Sequence, residues 1–286
     1  MQRFRLGLPF ALLSYFCIIL LYAPSVAVVF FSVNDTRFGL SWRGLTLEWY
    51  RKLFENQYIL EAARNSLLVA AVSTVVATVL GTALALGLSR FRKPGALDLF
   101  VNLPIVVPDI IMAVALTMAF SLLRAFSSLF DMGFFTLITS HVTFQISFVA
   151  LTVRSRLATL DKNLDLVARD LYAYMFYSFT RVTLPLLTPA ILAGAMLAFT
   201  LSLDDFIISF FTHGPDSVTL PIFIYASVKR GITPEIHALS TVMLTATVVL
   251  IILVERLTTT LGNRSRRVAR KRILEAKALK EAGAAA

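Results

Sequence analysis

Long apolar runs alternate with short polar segments along the whole chain. Six runs stand out, about Pro9–Val33, Ser66–Leu88, Leu97–Leu122, Phe134–Val153, Leu186–Phe211 and Ala238–Val254. Each reaches the ~17–25 residues that a membrane-spanning helix needs. The runs are continuously apolar, without the alternation of a half-buried strand. Lipid offers no partner to backbone groups, so only helices or closed barrels cross it. The pattern predicts an all-α membrane protein with six transmembrane helices. Arg3 and Arg5 precede the first run. That run is longer than the ~7–15 apolar residues of a secretory signal, and it is read as a retained anchor.

Composition supports this class. Of 286 residues, 57% are hydrophobic and 15% charged, and the mean hydropathy is +0.77. Soluble domains carry about 25% charged residues. A net charge of +10 would point to nucleic acid in a soluble protein, but here the basic residues gather beside the apolar runs and in the tail. Cys17 is the single cysteine, so no intrachain disulfide forms. With both termini cytoplasmic, 19 Lys and Arg fall on the inner side and 8 on the outer. The SRFRK run at Ser89–Lys93 is the firmest part of that asymmetry. The expected organisation is a transmembrane domain over residues 1–258 and a basic cytoplasmic tail over 259–286.

Two polar segments matter for function. Leu164–Gly194 carries Asp165, Arg169, Asp170 and Arg181, aromatics at helical spacing (Tyr172, Phe176, Phe179), then Pro185 and Pro189. A short amphipathic helix between two spans is suited to receive force from a soluble partner. On the outer side, Asn34–Asn65 is the largest loop. Thr46 is placed to cap a short helix, with Glu48 in its first turn. Leu45, Trp49, Leu53 and Tyr58 lie near one face, as an interfacial cover of the bundle or as a contact for an external partner.

Charge inside the spans narrows the chemistry. Pro104, Pro108 and Asp109 interrupt the third span, and an ionisable group at that depth is a functional candidate or a paired structural one. His141 lies beside Ser140, Thr143 and Gln145, with no metal-ligand spacing, and reads as a hydrogen-bonded structural histidine. Asp204 and Asp205 sit together in the fifth span, in the outer half of the membrane. Adjacent helical residues point about 100° apart, so the two do not share one face. They either border a path for a cationic solute, with nearby aromatics, or mark an external helix end. The sequence holds no phosphate-binding loop, nucleophile elbow or GxGxxG, so any ATP hydrolysis belongs to another chain.

At Leu164–Pro189 the chain resembles the cytoplasmic coupling loop of permease subunits of bacterial ABC importers. The close of that motif is intact at Phe179, Val182, Thr183, Leu184 and Pro185, and Asp170-Leu171 matches within it. Leu166-Val167-Ala168 stand where the motif has EAA, and Tyr172 stands where it has Gly. Further segments resemble the polyamine permeases, especially the shorter of the two subunits. They are Asn34–Phe38 with Leu47–Tyr50, Asn65–Leu67, Pro108–Ile110, Ser140–Phe144, Phe199–Asp205, Gly214-Pro215 with Thr219–Pro221, and Pro234-Glu235 with Ala238-Leu239.

The resemblance implies a type I importer permease fold with a coupling loop over about 155–185. It implies ATPase contact through Asp165, Leu166, Ala168, Asp170, Tyr172, Phe176 and Pro185. It places Trp49, Asp109, Asp204, Asp205 and Glu235 on the path of spermidine or putrescine. The implied partners are a second homologous permease, two ATPase subunits holding ATP and Mg, and a periplasmic binding protein, in a bacterial inner membrane. An importer of another small solute, or a standalone secondary transporter, is the alternative.

Overall fold

The computed structural model describes residues 8–36, 42–89, 95–160, 174–231, 233–253 and 256, and among them the regular structure is helical. In chain order the helices are α1 (Leu8–Ser32), α2 (Glu48–Glu55), α3 (Gln57–Ser89), α4 (Ala96–Val106), α5 (Asp109–Leu123), α6 (Phe134–Ala158), α7 (Phe176–Asp204), α8 (Ile207–Thr212), α9 (Leu220–Arg230) and α10 (Pro234–Leu253). Five of them, α1, α3, α6, α7 and α10, are long and apolar enough to cross a membrane; α4 and α5 make a sixth span if counted together.

Three boundaries differ from the sequence reading. The third span is not one rod, because α4 and α5 meet at 108° across Val107-Pro108. Val107 is extended (φ −72°, ψ 131°), as the residue before a proline tends to be. The second span begins at Gln57, so the outer loop is shorter than Asn34–Asn65, and its 33 residues extend over ~50 Å at 1.5 Å each. The fifth span ends at Asp204, so the two carboxylates do not lie within one helix.

The chain divides into two compact units, one within Met1–Ala62 and Ile222–Val248, the other within Ala63–Pro221 and Val249–Ala286. In the first, the segment between α1 and α2 is tied down by hydrogen bonds. The Trp49 indole N–H donates to the Asn34 carbonyl at 2.9 Å, Asn34 Oδ1 accepts from Arg43 N at 3.1 Å, and Ser32 shares a 2.7 Å hydrogen bond with the Tyr50 hydroxyl. Thr46 Oγ1 accepts the Glu48 N–H at 3.2 Å, although the helix itself starts after Leu47. Lys52, hydrogen-bonded to Glu48 at 2.8 Å, holds that carboxyl below its ordinary range by the bond and by its charge. Of the four residues expected on one face, Trp49 and Leu53 are buried, whereas Leu45 and Tyr58 are exposed. Trp49 and Leu53 are one helical turn apart within α2; the other two lie outside it.

In the second unit α6 is the inner helix. It buries Thr136, Ser140, His141, Gln145 and Ser147 alongside Leu137, Val149, Ala150 and Val153. Most buried polar groups of this kind are bonded, and here Thr136, Ser140, His141 and Gln145 Nε2 are, whereas Gln145 Oε1 has no partner among the described residues. Its register with α7 is antiparallel and advances one turn at a time: His141 meets Ser202, Gln145 meets the Ala198 carbonyl, and Val149 meets Gly194. Two glycines lie where the helices touch, and at the first there is no room for a side chain. A Cβ on Gly81 of α3 would lie 2.8 Å from Val149 Cβ and 2.9 Å from the Ile146 carbonyl oxygen. A Cβ on Gly194 would lie 3.4 Å from Val149 Cα. Small residues bring helix backbones close, which is how helices associate in lipid where burial of apolar surface supplies little drive. Ala85, Val153, Leu187 and Ala198 continue this core.

Candidate functional site

The site grows from two interruptions of helix in the second unit. The first separates α4 from α5. Pro108 has no N–H to donate, and α5 starts at Asp109 with no side-chain cap; the Ile111 N–H is taken by the Pro108 carbonyl at 2.9 Å. Asp109 is exposed at the bend. Asp98, on α4, is instead paired in a two-pronged contact with the Arg154 guanidinium of α6, one prong measuring 3.0 Å.

The second interruption lies between α7 and α8. Asp205 leaves the helical region (φ −67°, ψ 123°), and its carboxylate turns toward the start of α8. Oδ1 accepts from Ile208 N at 3.3 Å; Oδ2 accepts from both Ser209 N and the Ser209 hydroxyl at 2.8 Å. Aspartate favours such a place because its short side chain satisfies the unpaired N–H groups at a helix start. Phe211 and Ile208 carry the packing, since the Phe211 carbonyl accepts from Thr117 of α5 at 3.1 Å and Ile208 joins Ala113 and Phe144 in an apolar cluster. The second unit thus brings α8 against α5.

Asp205 is the end of a buried polar chain. The His141 ring holds Ser202 through Nδ1 at 2.7 Å and Ser209 through Nε2 at 3.0 Å, with Nε2 also 3.5 Å from Asp205 Oδ2. Ser202 lies 3.5 Å from Ser73 of α3, and Gln145 Nε2 donates to Ser73 at 3.1 Å and to the Ala198 carbonyl at 3.2 Å. The His141 side chain is 1% exposed and that of Asp205 9%. Asp204, one residue earlier, is exposed, with no hydrogen bond or ion pair among the described residues.

The other residues expected on the path lie in the first unit. Trp49 is 7% exposed and its N–H is used by Asn34. Glu235 is half-buried at the start of α10. Of the coupling residues, Asp165, Leu166, Ala168, Asp170 and Tyr172 lie outside the described residues. Phe176 and Pro185 are exposed, and a π-helical turn over Phe179–Thr183 connects them, its closing bond running from Leu184 N to the Phe179 carbonyl. Wider turns of this kind accompany proline, which cannot complete the regular ladder.

Sequence reasoning passed over Ser73 and Ser209, and over the pairing of α3 with the segment before α9. The Asn65 amide donates to the Asp216 and Val218 carbonyls at 3.3 and 3.1 Å, and Ser66 Oγ accepts from Leu220 N at 2.8 Å. Gly214 fits there only without a side chain, because a Cβ would lie 2.0 Å from the Met132 carbonyl oxygen. The one signal available was polarity: Asn65, Ser66, Ser73 and Ser209 are small polar side chains in or beside an apolar run.

Residues 77–267 match the family described as the binding-protein-dependent transport system inner membrane component. The chain is 40% identical over 234 residues to the spermidine/putrescine transport system permease protein PotC of Escherichia coli, covering 81% of this chain and 87% of that one. It is 36% identical over 260 residues to PotC of Haemophilus influenzae, with 90% and 98% covered. It is 38% identical over 230 residues to the putrescine transport system permease protein PotI of Escherichia coli, with 79% and 82% covered. A bacterial ABC transporter that imports the acidic polysaccharide alginate has a similar fold, with a TM-score of 0.67 at 19% identity over 91% of this chain and 96% of that one. The long apolar helices, the type I importer permease fold and this match over most of the sequence agree, and the chain belongs to the family of binding-protein-dependent transport system inner membrane components.

Proposed function

We propose that this permease carries polyamines, spermidine or putrescine, into the cytoplasm by alternating access. The observation that carries the reading is Asp204, a carboxylate left exposed at the end of a membrane span while its neighbour Asp205 is consumed by the fold. A bare carboxylate costs about 2.5–3.5 kcal/mol at the centre of a span and less toward its end, and it is best placed beside water, a cation or a partner chain. Polyamines carry several ammonium groups at neutral pH and suit such a lining by Coulomb attraction. Relatives 36–40% identical are named for spermidine and putrescine transport. The fold by itself does not choose the substrate, because an alginate importer shares it and alginate is acidic.

In this reading Asp109 and Asp204 border the path, Asp205 shapes it, and Trp49 and Glu235 act from the first unit. The chain pairs with a homologous permease, a periplasmic binding protein delivers substrate, and two ATPase subunits carry ATP and Mg. The loop over about 155–185 receives the ATPase motion through Asp165, Leu166, Ala168, Asp170, Tyr172, Phe176 and Pro185. Both termini and the basic tail over 259–286 lie in the cytoplasm.

The test is ATP-dependent uptake of labelled spermidine and putrescine by the reconstituted complex, with Asp204→Asn alongside. Saturable uptake of at least one polyamine, reduced by the substitution, is expected. A complex that hydrolyses ATP with loaded binding protein yet moves neither polyamine would sink the reading. Uptake of another compact cation in their place would support the alternative of a different small solute.

A further inference from the structure

The fifth span is interrupted without a proline or glycine in Leu203–Ile207, so something else must hold the two helical pieces in their bent relation. Ser202 lies before the interruption on α7 and Ser209 after it on α8. One imidazole, that of His141 on α6, bonds to both, at 2.7 and 3.0 Å. Because α6 supplies the ring, the geometry of the interruption is referred to a helix that is itself locked against α3 and α7 at Val149.

With a neutral imidazole the bonds nearest Asp205 have a set direction. The Ser209 hydroxyl has one proton and gives it to Asp205 Oδ2, so it receives from His141 Nε2–H. The neutral ring then has Nδ1 as an acceptor, filled by the Ser202 hydroxyl. Ser73 receives from Gln145 Nε2, and its own proton has two acceptors within reach, the Ala70 carbonyl at 3.4 Å and Ser202 at 3.5 Å.

We propose that His141 is a positioning residue for transport: by clasping Ser202 and Ser209 it sets the bend at Asp205 and thereby the direction in which Asp204 is presented. The uptake part of this inference rests on the polyamine reading; the conformational part does not. Without the clasp, α8 keeps its bonds to Asp205 and α5, but the last turn of α7 loses its tie at Ser202, two residues before Asp204, and Asp204 turns with it.

The experiment uses the full complex in vesicles, in a Cys17→Ser background carrying Asp204→Cys. The rate at which a small cationic methanethiosulfonate labels position 204 reports how that side chain is presented. His141→Phe keeps a ring and removes both hydrogen bonds, and Ser209→Ala cuts one of them while leaving His141 in place. Each should change the labelling rate per assembled complex by about fivefold or more, the shift that losing one buried hydrogen bond produces. His141→Gln, whose amide offers a donor and an acceptor, should bring the rate back toward the parent.

In the chain with Asp204 intact, His141→Phe should lower the maximal uptake rate with little change in KM. Added to Asp204→Asn it should cost nothing further, because the two act in series. Unchanged labelling in both His141→Phe and Ser209→Ala, or full additivity with Asp204→Asn, overturns the inference. If the parent complex moves no polyamine, the substrate reading fails, and the labelling rates still decide the role of His141.

Discussion

The second unit contains two helix interruptions, each marked by aspartate, and they are built in opposite ways. At Val107-Pro108 the bend follows from covalent structure: proline excludes an N–H and fixes the preceding residue as extended, and Asp109 enters α5 without capping it. At Asp205 the sequence contains no such constraint. The bend exists because a carboxylate takes two backbone N–H groups and a hydroxyl, and a histidine from another helix holds both sides. The first bend is therefore expected to survive the loss of its aspartate and the second to depend on it. Identical side chains at similar interruptions therefore have different duties, and burial with bonded partners distinguishes them more sharply than charge does.

The strongest challenge to this contrast is Asp205→Ala. It strips acceptors from Ile208 N, Ser209 N and the Ser209 hydroxyl at a site that is nearly closed to solvent. A loss of roughly 3 kcal/mol is expected from several unsatisfied groups, with lower melting temperature and poor recovery of the complex. A variant as stable as the parent would show that the bend does not need its carboxylate. Next is Asp204→Asn, for which about a tenfold drop in polyamine uptake is expected with stability held within ~0.5 kcal/mol. Parallel assays of uptake and thermal melting separate the two aspartates, and a melting shift as large as that of Asp205→Ala would erase the distinction.

Arg154→Ala probes a third carboxylate, Asp98 on α4, which is partly exposed and paired across to α6. The cost should be about 1 kcal/mol, less at high salt, seen as a modest melting shift. Asp109→Asn should be the mildest for the fold, within ~0.5 kcal/mol, since α5 begins without help from its side chain. Any effect it has on uptake then reports the path and not the bend.

Much of the architecture was legible in the sequence. Apolar runs of sufficient length specify membrane helices because lipid leaves the backbone no alternative. Pro108 announced a disturbance, although its size, 108°, depends on how α5 packs against α8. The end of α7 was not legible. Leu201–Ile207 contains no proline or glycine to announce a break, and the two serines that give the bend its hold are joined through a residue 61 and 68 positions away. His141 was readable as a hydrogen-bonding group, but its partners were not, because they come from other helices. Trp49 looked like an interfacial aromatic, whereas its indole N–H organises the segment between α1 and α2.

Val149, lodged between Gly81 and Gly194, has a mechanical consequence. A branched side chain seated against two backbones works as a key in a double slot: α3, α6 and α7 cannot slip lengthwise past one another without lifting it out. A load applied near Pro185 should therefore travel up α7 with little lost motion and be released where the rod is jointed, at Asp205. Widening the slot by trimming Val149 to alanine would introduce play into that linkage while leaving every charged residue untouched.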